Sequence, residues 1–243
     1  MFVNLPGSAL CSATYFLEGD YILSPFTFDT IMVLYAQLEA RQWPTVDAFI
    51  DAQQQDKQEE LKAAAEKSFI PALQYFNKRF VGPDALMAVE MERFKYARLS
   101  APHQFLLHNA TFPLAGAVKA MPLAERMLFQ NALPFLNEKV HRELDAERAA
   151  YIALAGQFLP PSSLGKKKNV FMGELTDALL LWWSVNEHLL PKWAWFTRKM
   201  LLIQPSSASV ERVFSIVNRI YSKDRYSTLN DMIELSVMLA YNK

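Results

Sequence analysis

The sequence has little cysteine, little glycine and no excess of charge, and each shortage excludes a class of protein. One cysteine in 243 residues, Cys11, excludes a disulfide framework within the chain and any zinc or iron–sulfur site built from several cysteines. The 25 basic and 25 acidic side chains cancel, so the strong positive charge of many nucleic-acid binders is missing. A single cysteine suits a protein of a reducing compartment.

Long hydrophobic runs are also missing. The strongest, from Ala178 to Val185, is far shorter than the roughly 20 residues that a bilayer-spanning helix needs. The first ten residues, MFVNLPGSAL, lack the basic segment of a secretory signal. A hydrophobic fraction of 51% is nevertheless enough for a buried core. We therefore expect a soluble intracellular protein without membrane contact.

Helical spacing fills most of the chain. Seven glycines and the absence of Asn-Gly or Asp-Gly turns leave few sites for hairpins. Pro71 is expected to start a new helix or to kink the old one, Asp84 to cap a helix, and Pro102 to open one. Apolar residues at steps of three and four predict helices over residues 26–38, 47–80, 85–99, 118–132, 135–155, 170–189 and 191–203. The predicted fold class is mainly α.

A linker divides this predicted helical chain in two. The stretch from Leu159 to Asn169, LPPSSLGKKKN, combines helix-breaking residues with three lysines that repel one another. Lys166, Lys167 and Lys168 are interpreted as a solvated loop rather than a nucleic-acid contact. We place the domains at residues 1–165 and 170–243. Residues 192–243 hold eight basic and four acidic side chains, an excess of +4.

The last 40 residues predict two apolar helices. After Pro205, which ends one helix, one apolar stripe is formed by Val210, Val213, Phe214, Val217, Ile220 and Tyr221. The segment from Leu229 to Tyr241 is apolar over most of its surface. Such helices must be buried, either within the chain or by a partner.

These residues also carry a resemblance. The string PSSASVERVFS from Pro205 to Ser215 and the terminal MLAYN resemble the C-terminal region of hAT-superfamily transposases. The segment Tyr15 to Ala40 is similar to the start of the helical insertion domain of some hAT elements. The positions assigned to the dimerisation signature are Trp183, Pro191, Pro205, Ser206, Ser207, Arg212, Phe214, Ser215, Arg225, Leu229 and Leu239.

The resemblance implies a helical insertion-type domain followed by the C-terminal helices of a split RNase H-like domain. Such transposases use two aspartates and one glutamate to hold two divalent metal ions, usually Mg²⁺, for DNA cleavage and strand transfer. Glu211 matches the glutamate, whereas no position of this sequence matches either aspartate. The single cysteine also excludes the zinc finger of the BED type. We therefore expect Glu211 to be vestigial, with no bound metal, no cofactor and no enzymatic activity.

The resemblance therefore implies a truncated or domesticated derivative of a hAT transposase whose retained activity is dimerisation. Its expected partner is a second copy or a related hAT protein. Its expected location is the nucleus by resemblance, and otherwise the cytoplasm. One alternative is a DNA-binding remnant that uses the +4 tail, Lys78–Arg79 and Lys166–Lys168. Another is a fragment of an active transposase whose aspartates lie upstream. Two further features have structural interpretations: Glu138 and His141 as a surface pair rather than half of a di-iron site, and Trp182, Trp183, Trp193 and Trp195 as core or interface aromatics.

Overall fold

The computed structural model describes residues 21–40 and 50–203 apart from Pro83, and helices joined by short turns make up most of this part. In chain order the helices are α1 Ser24–Ala40, α2 Gln55–Phe80, α3 Ala88–Ala97, α4 Pro102–His108, α5 Ala117–Ala120, α6 Leu123–Ala132, α7 Glu138–Ala155, α8 Lys168–Asn186 and α9 Pro191–Leu201. Two 3-10 turns, Arg98–Ser100 and Asn109–Thr111, flank α4. These ranges contain no strand, and the predicted mainly α class is confirmed.

Local sequence explains where several helices begin. Pro102 and Pro191 each stand at the start of a helix, where the missing N–H of proline has no partner to lose. The side chain of Asn137 caps α7 by accepting a hydrogen bond from the Val140 amide at 2.9 Å. The predicted start at Pro102 is therefore confirmed.

Two predictions of helix boundaries are wrong, and one of the two alternatives at Pro71 is excluded. A single helix, α2, continues through Pro71, so no new helix starts there, and the alternative of a kink within one helix stays a prediction. Asp84 does not cap a helix, because Gly82 has a φ of 91° and the Met87 amide bonds back to the Arg79 carbonyl at 2.9 Å, which delays the start of α3 to Ala88. The helix expected over residues 118–132 is interrupted at Pro122, whose extended backbone separates α5 from α6.

The largest core is aromatic and lies between α3, α4, α7 and α9. Tyr151 of α7 stacks on Phe105 of α4 with their ring centroids 3.6 Å apart, and its hydroxyl donates to the Leu99 carbonyl at 2.8 Å. Trp193 of α9 meets the Tyr151 ring at 5.2 Å. All three rings are fully buried, and the burial raises the pKa of the Tyr151 phenol well above its usual value.

Two further clusters complete the interior. One joins α1, α2 and α3 around the buried side chains of Ile31, Leu34, Leu38, Phe76, Met91 and Phe94. The other holds α8 against the start of α1 and the segment that follows α7, through Leu23, Phe158, Met172, Leu175 and Leu179. Within the residues that the structure describes, no helix is both long and apolar enough to cross a membrane.

The aromatic core contains residues from both sides of the predicted linker. Tyr151 and Leu144 precede it, whereas Trp183, Trp193 and Phe196 follow it, and all lie in the same cluster. Residues 159–167 of the linker run over the surface, with Leu159 and Leu164 exposed and Gly165 at a φ of 71°. Lys168, predicted to lie in the solvated loop, is instead the first residue of α8. The division into residues 1–165 and 170–243 stays a prediction.

A histidine is held between two phenyl rings where α1, α4 and the end of α7 meet. The His103 ring stacks on Phe26 with centroids 5.8 Å apart and on Phe158 at 5.7 Å. Burial lowers the pKa of His103, because the charged imidazolium loses water there. Burial also lowers the pKa of His108, with a second contribution from the nearby Arg98 guanidinium.

A lowered pKa has a definite consequence for stability. Between the folded-state pKa of His103 and the usual value of about 6.5, the unfolded chain binds more protons, so stability falls as the pH is lowered through this window. We expect the thermal unfolding midpoint to fall between pH 7.5 and 5.5, and to fall less in His103→Phe, which keeps the stack but cannot titrate. Circular dichroism at 222 nm measures both. An equal fall of the midpoint in the two proteins would contradict a contribution from His103. A smaller fall that remains in the variant is assigned to His108.

Candidate functional site

The segment from α8 to α9 contains the two signature residues that the structure describes, Trp183 and Pro191. Helix α8 buries Met172, Leu175, Leu179 and Trp183, which follow one another at steps of three and four along one face. The Trp183 indole N–H donates to the Ser100 carbonyl at 2.8 Å, in the 3-10 turn before α4. This bond fixes the C-terminal half of α8 to the aromatic core.

The start of α9 is held by a carboxylate from another helix. Glu147 of α7 accepts hydrogen bonds from the backbone amides of Lys192 at 3.0 Å and Trp193 at 3.2 Å. These are amides of the first turn of α9, which have no partners within the helix, and the positive end of the helix dipole favours a carboxylate there. Pro191 directly precedes them. Glu147 therefore caps α9 across 45 residues of sequence.

Trp193 is the most enclosed side chain of this segment. Its indole N–H donates to the Leu144 carbonyl at 2.9 Å, and its ring contacts those of Phe105, Phe112 and Phe196 at centroid distances of 5.0, 5.5 and 5.4 Å. Trp183 and Trp193 are core residues, as predicted. Trp182 and Trp195 are half-buried and pack on the same cluster.

The opposite face of α8 is apolar and exposed. Leu180, Leu181 and Val185 are 49%, 65% and 58% exposed, and Leu189 in the turn after the helix is 51% exposed. Helix α8 is thus apolar on both faces, with only one face buried in the described core. An exposed apolar face of this kind is typical of an interaction surface.

The charged groups around α8 and α9 mostly face one another. Lys166 pairs with Glu174, and Arg198 pairs with Glu187. The Lys192 ammonium lies 2.8 Å from Glu143. Each of these three basic side chains therefore has a carboxylate partner that offsets its charge locally.

The prediction for Glu138 and His141 is half wrong. Glu138 is exposed and pairs with Lys119 at 3.1 Å and with Arg142, and these hydrogen bonds lower its pKa. His141, by contrast, is buried: its Nε2 contacts the Pro113 carbonyl and its ring packs on Phe112. The spacing of three places Glu138 and His141 on neighbouring sides of α7, but it does not determine which side faces the core. The side that carries His141 does.

A cluster of charged side chains lies between α1, α4 and the 3-10 turn after α3. The buried Arg98 guanidinium pairs with Asp29 at 3.1 Å, contacts the His108 ring at 3.2 Å and covers the Phe28 ring at 4.5 Å. The guanidinium is satisfied by these partners and fixes α1 to α4. Its role in this arrangement is structural.

No set of side chains in the described part of the chain could bind a metal ion. A two-metal site needs several carboxylates within reach of both ions. Residues 21–40 and 50–203 hold no group of three or more His, Cys, Asp or Glu side chains that could bind a metal ion. Glu211 lies outside the described residues. The described residues therefore supply no ligand set for such a metal pair, we derive no step through it, and the expected absence of a bound metal stays a prediction.

Most of the predicted signature lies outside the described residues. This holds for Pro205, Ser206, Ser207, Glu211, Arg212, Phe214, Ser215, Arg225, Leu229 and Leu239. The structure identifies two features that the sequence analysis did not name: the cap by Glu147 and the outward-facing leucines of α8. The sequence does indicate that some leucines of α8 face outward. The mostly apolar run from Ala178 to Val185 has eight consecutive residues, and one face of a helix cannot bury all of them. The sequence contains no pattern that predicts the capping role of Glu147, because its partners are backbone amides about 45 residues further along the chain.

The cap makes a matched comparison possible on one helix. Glu147→Ala removes the partner of two amides of α9, and we expect it to lower the free energy of unfolding by about 1–2 kcal/mol. Glu143→Ala, one turn earlier, removes only the partly exposed ion pair with Lys192 and is expected to cost less than about 0.5 kcal/mol. Urea unfolding followed by tryptophan fluorescence measures both. Equal losses would show that the cap adds nothing beyond a surface charge.

Comparison with known proteins bears on this same segment. Residues 167–242 match the family model of the hAT family C-terminal dimerisation region. The chain matches no curated protein and no solved structure. The match begins one residue before α8, includes both α8 and α9, and extends over the PSSASVERVFS string. The resemblance to the C-terminal region of the hAT transposases is confirmed: residues 167–242 of this chain are similar to the hAT family C-terminal dimerisation region.

Proposed function

We propose that this is a transposase-derived protein whose activity is dimerisation, with a second copy of itself or a related hAT protein as partner. The observation that carries the proposal is the match of residues 167–242 to the dimerisation region. A segment that serves to associate two chains needs an exposed apolar surface on a firm support.

The contacts of α8 and α9 supply such a support. Trp183 and Trp193 are tied by their indole N–H groups to carbonyls of the 3-10 turn and of α7. Glu147 fixes the start of α9. These bonds leave Leu180, Leu181 and Val185 facing outward from a helix that cannot easily turn them inward, because the opposite face is already buried.

We propose further that the chain does not cleave or join DNA on its own. Of the three acids that the resemblance implies, only the glutamate has a matching position, Glu211. A lone carboxylate cannot hold two divalent cations. The test is incubation of the purified chain with supercoiled DNA and Mg²⁺. Nicking that survives in Glu211→Gln would come from a contaminant, whereas nicking that is lost in this variant would contradict the proposal.

DNA binding is the less supported alternative. Around α8 and α9, Lys166, Lys192 and Arg198 each have a carboxylate partner. A DNA-binding remnant would bind duplex DNA with an affinity that drops steeply between 50 and about 200 mM salt. We expect no such binding at low salt by fluorescence anisotropy. A nuclear site of action is proposed from the resemblance alone, and imaging of a fluorescent fusion tests it.

The oligomeric state is the direct test of dimerisation. Light scattering after size exclusion is expected to give about 56 kDa, twice the mass of the 27.8 kDa chain, at micromolar concentration. Phe214→Asp and Leu239→Asp place a charge in the predicted apolar faces of the tail and should lower this mass. Asn218→Asp should not, because Asn218 falls with Glu211, Ser215 and Ser222 on a polar strip that the sequence predicts beside the apolar stripe. Circular dichroism must show unchanged helicity in all three. A folded monomer at every concentration would contradict the proposed function.

A further inference from the structure

The outward face of α8 carries a pattern that is symmetric about its middle. Asp177, Leu181 and Ser184 are exposed and lie along one line of α8, and His188, exposed in the turn just after the helix, continues this line at steps of four, three and four. Leu190 still bonds to the Asn186 carbonyl at 3.1 Å, which continues the helical path past His188. The line has an acid at one end, an imidazole at the other and leucine between them.

When a second copy of this face runs in the opposite direction, each side chain meets one of complementary type. If two copies of α8 lie antiparallel across a two-fold axis near residues 182 and 183, Leu181 faces Ser184 of the second copy and Leu180 faces Val185. In the same register Asp177 faces His188, so each end of the face meets a side chain of complementary chemistry. A two-fold interface requires this self-complementarity, in which residue i meets j and j meets i.

We propose that the α8 face formed by Asp177, Leu180, Leu181, Ser184, Val185 and His188 is the contact between two copies of this chain, with the two helices antiparallel. The inference rests on the proposed function and names its surface. Two observations select a second copy as the occupant: the face lies within the residues that match the dimerisation region, and the order of its side chains complements itself, with a carboxylate opposite an imidazole at each end. The central residues carry no charge that association would have to strip of water.

The first experiment changes the centre of the face in the full-length chain. Leu181→Glu and Val185→Glu each place two charges in a symmetric contact, one from each copy, and the dissociation constant of the dimer should rise about a hundredfold. Leu164→Glu is the matched control, because Leu164 is also exposed but lies in the linker, and it should leave the constant within about twofold. Sedimentation velocity over a concentration series measures all four proteins, and circular dichroism confirms their helicity.

The second experiment tests the orientation by cross-linking in a Cys11→Ser background. Asp177 and His188 are 11 residues apart, which is ~16 Å along a helix at 1.5 Å per residue, too far for a disulfide within one chain. The double variant Asp177→Cys/His188→Cys should therefore form a covalent dimer on oxidation, and neither single variant should. A covalent dimer of Asp177→Cys alone would place the helices parallel and overturn the proposed geometry.

The outcomes separate this inference from the function on which it rests. A wild-type dimer that Leu181→Glu and Val185→Glu leave intact would overturn the α8 contact and keep dimerisation, with the tail as the remaining surface. A wild-type monomer would overturn both. A monomer that Leu181→Glu also destabilises toward heat would show that the face is covered within the chain.

Discussion

Two indole hydrogen bonds hold the dimerisation region to the rest of the described fold. Trp183 and Trp193 are buried among aromatic rings, where an indole N–H without an acceptor would cost free energy, and each donates to a carbonyl outside its own helix. The acceptors, Ser100 and Leu144, precede the linker, so α8 and α9 take their positions from α7 and the 3-10 turn after α3. The exposed face of α8 follows from this constraint, because the face that carries Trp183 has to point inward.

Helix α8 combines two demands that are usually separate. Its buried residues, Met172, Leu175, Leu179 and Trp183, form an ordinary core stripe, yet the middle of the other side carries leucine and valine. A helix that served only the core would gain solubility from polar residues on that side. An apolar outer face has a physical reason if a second surface covers it, and the similarity of residues 167–242 to a dimerisation region agrees with the proposal that this surface is a second copy.

The sequence correctly predicted the features of the structure that depend on the local spacing of residues. The mainly α class, the helix start at Pro102 and the burial of Trp183 and Trp193 all follow from spacing and side-chain chemistry. The features that it missed depend on contacts between distant segments. Glu147 meets amides 45 residues away, and His141 is buried because Phe112 and the Pro113 carbonyl happen to lie beside that face of α7. The signature of the tail is specific as a string, and for that reason it indicated a family before any geometry was known.

Hydrogen exchange measured by mass spectrometry, at protein concentrations tenfold above and tenfold below the dissociation constant of the dimer, tests the central claim most directly. Amides of α7 and α9 should be protected equally at both concentrations, because their protection comes from the core of one chain. Peptides that cover residues 177–189 should gain protection only at the higher concentration. Equal exchange of these peptides at the two concentrations, or a gain spread evenly over all helices, would contradict the assignment of α8 as the helix through which two copies associate.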